Sequence, residues 1–180
     1  MSNLRAHRLL ALALTIVTFV MVASHPLELW GKLRLDGQTW LTVHHNLYVA
    51  FGPVAAVTEP GALVALGTLA WRERRRGWRW GPSALAGAAV GLGLAVWAGF
   101  THPANQALDA WTAATPPADW TSVRNQWETS HAVHAALIAL ALATPLTATA
   151  AGKCDRLVAT GAADNPPFLW RDPQNPKRLI

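Results

Sequence analysis

Residues 124–134, RNQWETSHAVH, place Arg124, Glu128, His131 and His134 at intervals of three and four, which a helix brings to one face. A carboxylate and imidazoles on one face can accept protons or ligate a metal. His25, Glu28, His44, His45 and His102 lie elsewhere, near the ends of other apolar runs. Shared chemistry therefore requires those ends to meet. Glu128-x-x-His131 is also the spacing by which helix bundles offer a carboxylate and an imidazole to iron. A complete two-iron site needs a second such motif, for which His25 followed by Glu28 is a reversed and imperfect partner.

The elements that must position these groups are membrane helices. The chain has 180 residues, 52% hydrophobic and 14% charged, with the charges gathered into short runs. Crossing about 30 Å of hydrocarbon takes roughly 20 residues of helix. Four segments qualify: 9–30, 41–71, 82–100 and 127–151. The second is long enough to tilt or project. The basic cluster Arg72, Arg74, Arg75, Arg76 and Arg79 lies between two spans, and excess Lys and Arg marks cytoplasmic loops. Both termini then fall inside, with twelve of the fifteen Lys and Arg on that side. The pI near 10.4 is thereby a topology signal and not one for nucleic acid. Trp30, Trp40, Trp97, Trp120 and Trp127 near one boundary, and Trp71, Trp78 and Trp80 near the other, are placed as interfacial belts. The expected fold is all-α: an integral four-helix bundle over 1–151 in the plasma membrane. Both its termini are cytoplasmic, a long extracytoplasmic loop joins helices three and four, and 152–180 form a weakly ordered tail.

Residues 1–24 carry a basic start, an apolar middle and small residues at 22–24, the features of a signal peptide. Apolar character continues through Leu27, Leu29 and Trp30, so a retained first helix is expected. Thr15, Thr18 and His25 share its face. In the second span His44, His45, Tyr48, Gly52 and Glu59 fall in one stripe, with Pro53 and Pro60 as kinks. Glu59 is the most unusual residue, an acid deep in an apolar run. It is either a neutral group bonded to a carbonyl freed by Pro60 or a functional one. Gly87 and Gly91 suit close helix packing, and Pro103 opens a short amphipathic helix. Cys154 is the only cysteine, which leaves no intrachain disulfide.

In THPANQALDAW and PPADWTSVRNQWETSHAVHAAL, the positions Asn105, Leu108, Trp111, Pro117, Asp119, Trp120, Arg124, Trp127, Glu128 and His131 carry a resemblance. The chain resembles the anthrone oxygenase-like family of small four-helix membrane proteins, over about a quarter of its length. Most members have no assigned function, and some are associated with oxygenating an anthrone to a quinone. Thr101, His102 and His134 depart from the family pattern. The resemblance implies a membrane-embedded oxygenase or oxidoreductase acting on a small lipophilic or aromatic substrate.

Two function classes follow. In the first, a monooxygenase, copper or iron is held by His131, His134 and one or two of His25, His44, His45 and His102, with Glu128 a further candidate ligand and one position open to dioxygen. Imidazole ligands outside the cytoplasm favour copper, and Glu128 favours iron. Without a metal, Glu128 or His131 is a general base that removes an acidic C–H proton. Arg124 then stabilises the oxyanion, and Asn105 orients the substrate. In the second, the same residues hold haem or metal without catalysis, or form a polar network that fixes helix register.

Overall fold

The computed structural model describes residues 2–77 and 81–164, with side chains from Leu4 to Thr144 within them. The chain divides into two units, 1–145 and 146–180. The described part of the second, 146–164, is helical. The expected weakly ordered tail thus begins inside a helix, and its remainder, 165–180, lies outside the described residues, as do Trp78, Arg79 and Trp80.

All described elements are helical: α1 (Ser2–Lys32), α2 (Gly37–Leu47), α3 (Phe51–Arg74), α4 (Pro82–Val96), a π-turn (Trp97–Thr101), α5 (His102–Asp109) and α6 (Trp120–Asp164). Ala11, Thr15, Thr18, Val22, His25 and Lys32 are the buried stripe of α1. Their spacings of three, four and seven are those of a helix with one packed face. The Thr15 hydroxyl bonds back to the Ala11 carbonyl at 2.7 Å, whereas Thr18 meets Thr58 of α3 at 3.1 Å. At the other end of these helices the His7 ring meets the Thr68 hydroxyl at 2.7 Å.

The expected second span is two helices. Asp36 caps α2, accepting from the Thr39 amide at 2.8 Å, and that bond holds its carboxyl below the usual carboxylate range. The chain leaves the helix at Tyr48 and re-enters at Phe51. Pro53 is therefore in the first turn of α3, where a missing N–H removes no intrahelical bond. It starts a helix instead of kinking one. α3 then packs against both α1 and α4.

Between α4 and α5 the backbone winds one wider turn before Pro103. His102 lies five residues after Trp97, and their rings stack with centroids 5.0 Å apart. Pro103 opens a short helix as expected, continuous with α4 through this turn.

Two apolar clusters result. One joins Ala11, Val22, Leu66, Val90 and Ile138 between the long helices. The other caps one end of the bundle and contains Trp40, Leu41, Ala104, Leu108 and Trp127. Trp40 and Trp127 are 1% and 2% exposed, so they are core residues of this cap and not belt residues. Trp30 and Trp71 are exposed, as a belt requires. Gly37 is tightly packed in the cap: a Cβ there would lie 2.9 Å from the Trp120 ring.

Leu9, Val20, Leu27, Val57, Val64, Leu85, Leu92 and Leu140 project outward, an apolar exterior suited to lipid. Leu4–Lys32, Phe51–Arg74 and Pro82–Asp109 are long and apolar enough to cross a bilayer. The chain has the make-up of a membrane protein with three such helices among its described residues.

Candidate active site

A cavity of about 650 Å³ lies among α1, α2, α3, α5 and α6, within the size range of small-molecule sites. The α1 stripe brings His25 to it, the last turn of α2 brings His44 and His45, and α3 brings Glu59. On α6 the buried series Trp127, His131, His134, Ile138 and Ala141 has helical spacing, and its first three members reach the cavity. Asn105 of α5 and the rings of Tyr48, Phe51 and Trp97 complete the wall.

Trp127 is the hub. Its ring centroid is 4.0 Å from His131, 4.7 Å from His25 and 5.0 Å from His44. The indole N–H donates to Asn105 Oδ1 at 2.7 Å, so Asn105 positions an aromatic wall. His25 and His131 are also in edge contact, with centroids 4.2 Å apart. Five of the six histidines expected to converge therefore do so.

Hydrogen bonds fix the proton on two of these rings. His131 Nδ1 is 2.9 Å from the Trp127 carbonyl, and His45 Nε2 is 3.0 Å from the Leu108 carbonyl. A carbonyl only accepts, so each of those nitrogens donates. The lone pair of the neutral ring then sits on His131 Nε2 and on His45 Nδ1. His25 Nδ1 and His44 Nδ1 are buried without a hydrogen-bond partner among the described residues. Buried polar atoms in native interiors nearly always have a partner from protein, water or an ion.

Glu59 is paired, and neither sequence reading named its partner. His134 Nε2 is 2.6 Å from Glu59 Oε1, and both side chains are buried. Gly93 of α4 makes the room: a Cβ there would lie 2.6 Å from His134 Cδ2 and 2.8 Å from Nε2. Gly87 and Gly91 face only ordinary contacts, so the close approach belongs to Gly93. Gly93→Ala is expected to displace the His134 ring, separate it from Glu59 and cost about 1–3 kcal/mol by overpacking. The thermal midpoint in detergent, compared with Gly91→Ala as a control, measures this.

Other expected site residues lie elsewhere. Glu128 points away from the cavity: Lys32 Nζ donates to Glu128 Oε2 at 2.9 Å, and Trp40 Nε1 to Oε1 at 3.3 Å. Lys32 also stands 3.9 Å from Glu28, whose carboxylate accepts from the Tyr48 hydroxyl. Burial, then that carboxylate, push the Tyr48 phenol up from its ordinary value. Arg124 lies over the Trp120 ring at 4.9 Å and bonds Asn125 Oδ1, outside the cavity wall. His102 is held against Trp97, also outside the wall.

Sequence reasoning missed Lys32, Trp40 and Gly93. Lys32 had a signal, since it stands seven residues beyond His25 on the same α1 stripe.

The expected metal set does not fit this geometry. Glu128 and His102 are turned away, and His134 is engaged by Glu59. Among the described residues no three of His, Cys, Asp and Glu are grouped to hold an ion. Haem does not fit the closest imidazole pair. Two rings ligating one iron from opposite faces stand roughly 6 Å apart at metal–nitrogen distances of about 2 Å, and His25 and His131 are at 4.2 Å.

Burial pushes the His44 imidazole down from 6.5 to about 4, with His45 and Lys32 adding to the effect. The native ring stays neutral where the unfolded one takes a proton. Stability from this residue is full above about pH 6.5 and falls as pH drops toward 4. His44→Phe is expected to flatten that part of the pH–melting profile between pH 6.5 and 4.

The fold and cavity together define a class: an all-helical membrane protein with an imidazole-lined chamber. No family model, curated protein or solved structure matches the chain.

Proposed function

We propose that the chain is a membrane-embedded oxygenase that needs no metal and acts on a lipophilic aromatic substrate held in the cavity. The supporting observation is His131: it lines the chamber, and its bond to the Trp127 carbonyl leaves Nε2 as a base directed by a fixed tautomer. Aromatic walls suit a flat ring system. Asn105 and Trp127 would orient it.

The reaction starts at an activated methylene. His131 Nε2 takes one C–H proton, and the carbanion gives its electron pair to dioxygen, forming a C–O bond. The proton passes to the outer peroxide oxygen. Loss of the second C–H proton and cleavage of the O–O bond then release water and leave a ketone. One methylene and one dioxygen give one carbonyl and one water.

The proposal includes the topology: α6 as a fourth span, the Arg72–Arg76 end and both termini in the cytoplasm, and the chamber toward the outer leaflet of the plasma membrane. The test uses anthrone and ¹⁸O₂ with detergent-purified protein. Protein-dependent uptake of one dioxygen per ketone, with one labelled oxygen in the product, is expected. No uptake above the protein-free rate rejects the reading.

A second reading, a non-catalytic polar network, is favoured by the pairs Lys32–Glu128 and Glu59–His134, which tie α1 and α3 to α6. It requires that His131 variants change folded yield and nothing else.

A further inference from the structure

The chamber presents hydrogen-bond acceptors and few donors. His131 Nε2 and His45 Nδ1 carry lone pairs, because the other nitrogen of each ring donates to a backbone carbonyl. Glu59 adds a third acceptor: Oε1 is taken by His134, and the carboxylate's second oxygen has no partner among the described residues. It is also not one of the atoms sealed from the cavity. Asn105 spends its carbonyl oxygen on Trp127. Because Glu59 is held by His134, and His134 by the space over Gly93, that second oxygen is fixed in place before any ligand arrives. Rigid acceptors in an apolar chamber select a partner that donates, since an analogue without the donor leaves a buried acceptor unpaired.

We propose that Glu59 is a specificity residue and that its free oxygen accepts a hydrogen bond from a hydroxyl on the ligand. The ligand class is a planar hydroxylated arene, in preference to the matching ether or hydrocarbon. Between the aromatic rings of Tyr48, Phe51 and Trp127 such a molecule has flat apolar contact, and its hydroxyl reaches Glu59, the wall carboxylate that His134 holds in place; Asp109, at the end of α5, is the other carboxylate in the wall. His45 offers a second acceptor for a second hydroxyl. This rests on the cavity being the substrate site, and not on the oxygen chemistry.

The test is anaerobic equilibrium binding, so that no turnover is involved. Purified protein is titrated calorimetrically with 2-naphthol and with 2-methoxynaphthalene, which differ by one methyl group in place of the hydroxyl proton. Wild type is expected to bind the naphthol about 10- to 100-fold more tightly, the range that follows from leaving a buried acceptor unpaired. Glu59→Gln should bring that ratio near one. Its single side-chain oxygen stays with His134 and its amide presents a donor to the chamber. His102→Gln, outside the wall, should leave the ratio unchanged.

Equal binding of the two probes by wild type overturns the proposal, whether or not the Glu59 variant folds. So does a folded Glu59→Gln protein that keeps the ratio. Failure of anthrone oxidation with an intact naphthol preference rejects the oxygenase reading and leaves this one standing. Oxidation with equal probe binding does the reverse.

Discussion

Replacing His131 by Gln is expected to lower protein-dependent dioxygen consumption by about 10²- to 10⁴-fold, the usual contribution of a positioned general base. Gln can still donate to the Trp127 carbonyl at helical spacing, so the wall around it should persist. It offers no nitrogen lone pair to take a proton. The loss should appear in kcat with little change in KM, because a group needed only for proton removal contributes little to ground-state binding. A structural role for His131 predicts the opposite pattern, with normal turnover per folded molecule and a lower thermal midpoint. An unchanged kcat would sink the base assignment. Glu128→Gln provides the contrast: Glu128 faces Lys32 and Trp40, so it should alter stability and leave the chemical step alone.

Lys32→Met should be among the most destabilising single changes in the chain. Lys32 and Glu128 side chains are 5% and 4% exposed, and removing one partner of such a pair strands the other charge, at a cost of about 3–5 kcal/mol. The ammonium also lies 4.9 Å from the Trp127 ring and 5.4 Å from that of Tyr48, contacts that add to the loss. Lys32→Met combined with Glu128→Leu should recover most of it, because neither charge is then left buried. Recovery will be incomplete, since Trp40 Nε1 loses its acceptor. Denaturant unfolding of the two single variants and the double variant gives the coupling directly. Additive losses in the double variant would mean that the pair is not a unit.

How much of this was legible in sequence depends on the range of the signal. Thr15, Thr18 and His25 were readable as one face because helical period is local, and the apolar runs were readable from length and composition. Pro53 misled: its effect depends on whether the helix continues through it or begins beside it, and only the packing of Tyr48 and Phe51 decides that. His102 was expected to join the others from its place at the end of an apolar run, but the five-residue turn sets its ring against Trp97 instead. Glu59 and His134 are 75 residues apart, and nothing local to either names the other. Glu128 and His131 share a broad face, yet three residues turn a helix by about 300°. The remaining 60° is enough to send one toward Lys32 and the other into the chamber.

The wide turn at Trp97–Thr101 has a consequence for the length of the chain itself. A π-turn holds one residue more than the α-helical path needs, so it is slack in the backbone. Gly99 sits there with open space around its Cβ position. Excising it would relax the turn to ordinary pitch and leave Asn105 and Leu108 facing inward. Removing a residue within Pro82–Val96 would instead swing everything downstream by about 100°, carrying Asn105 off Trp127.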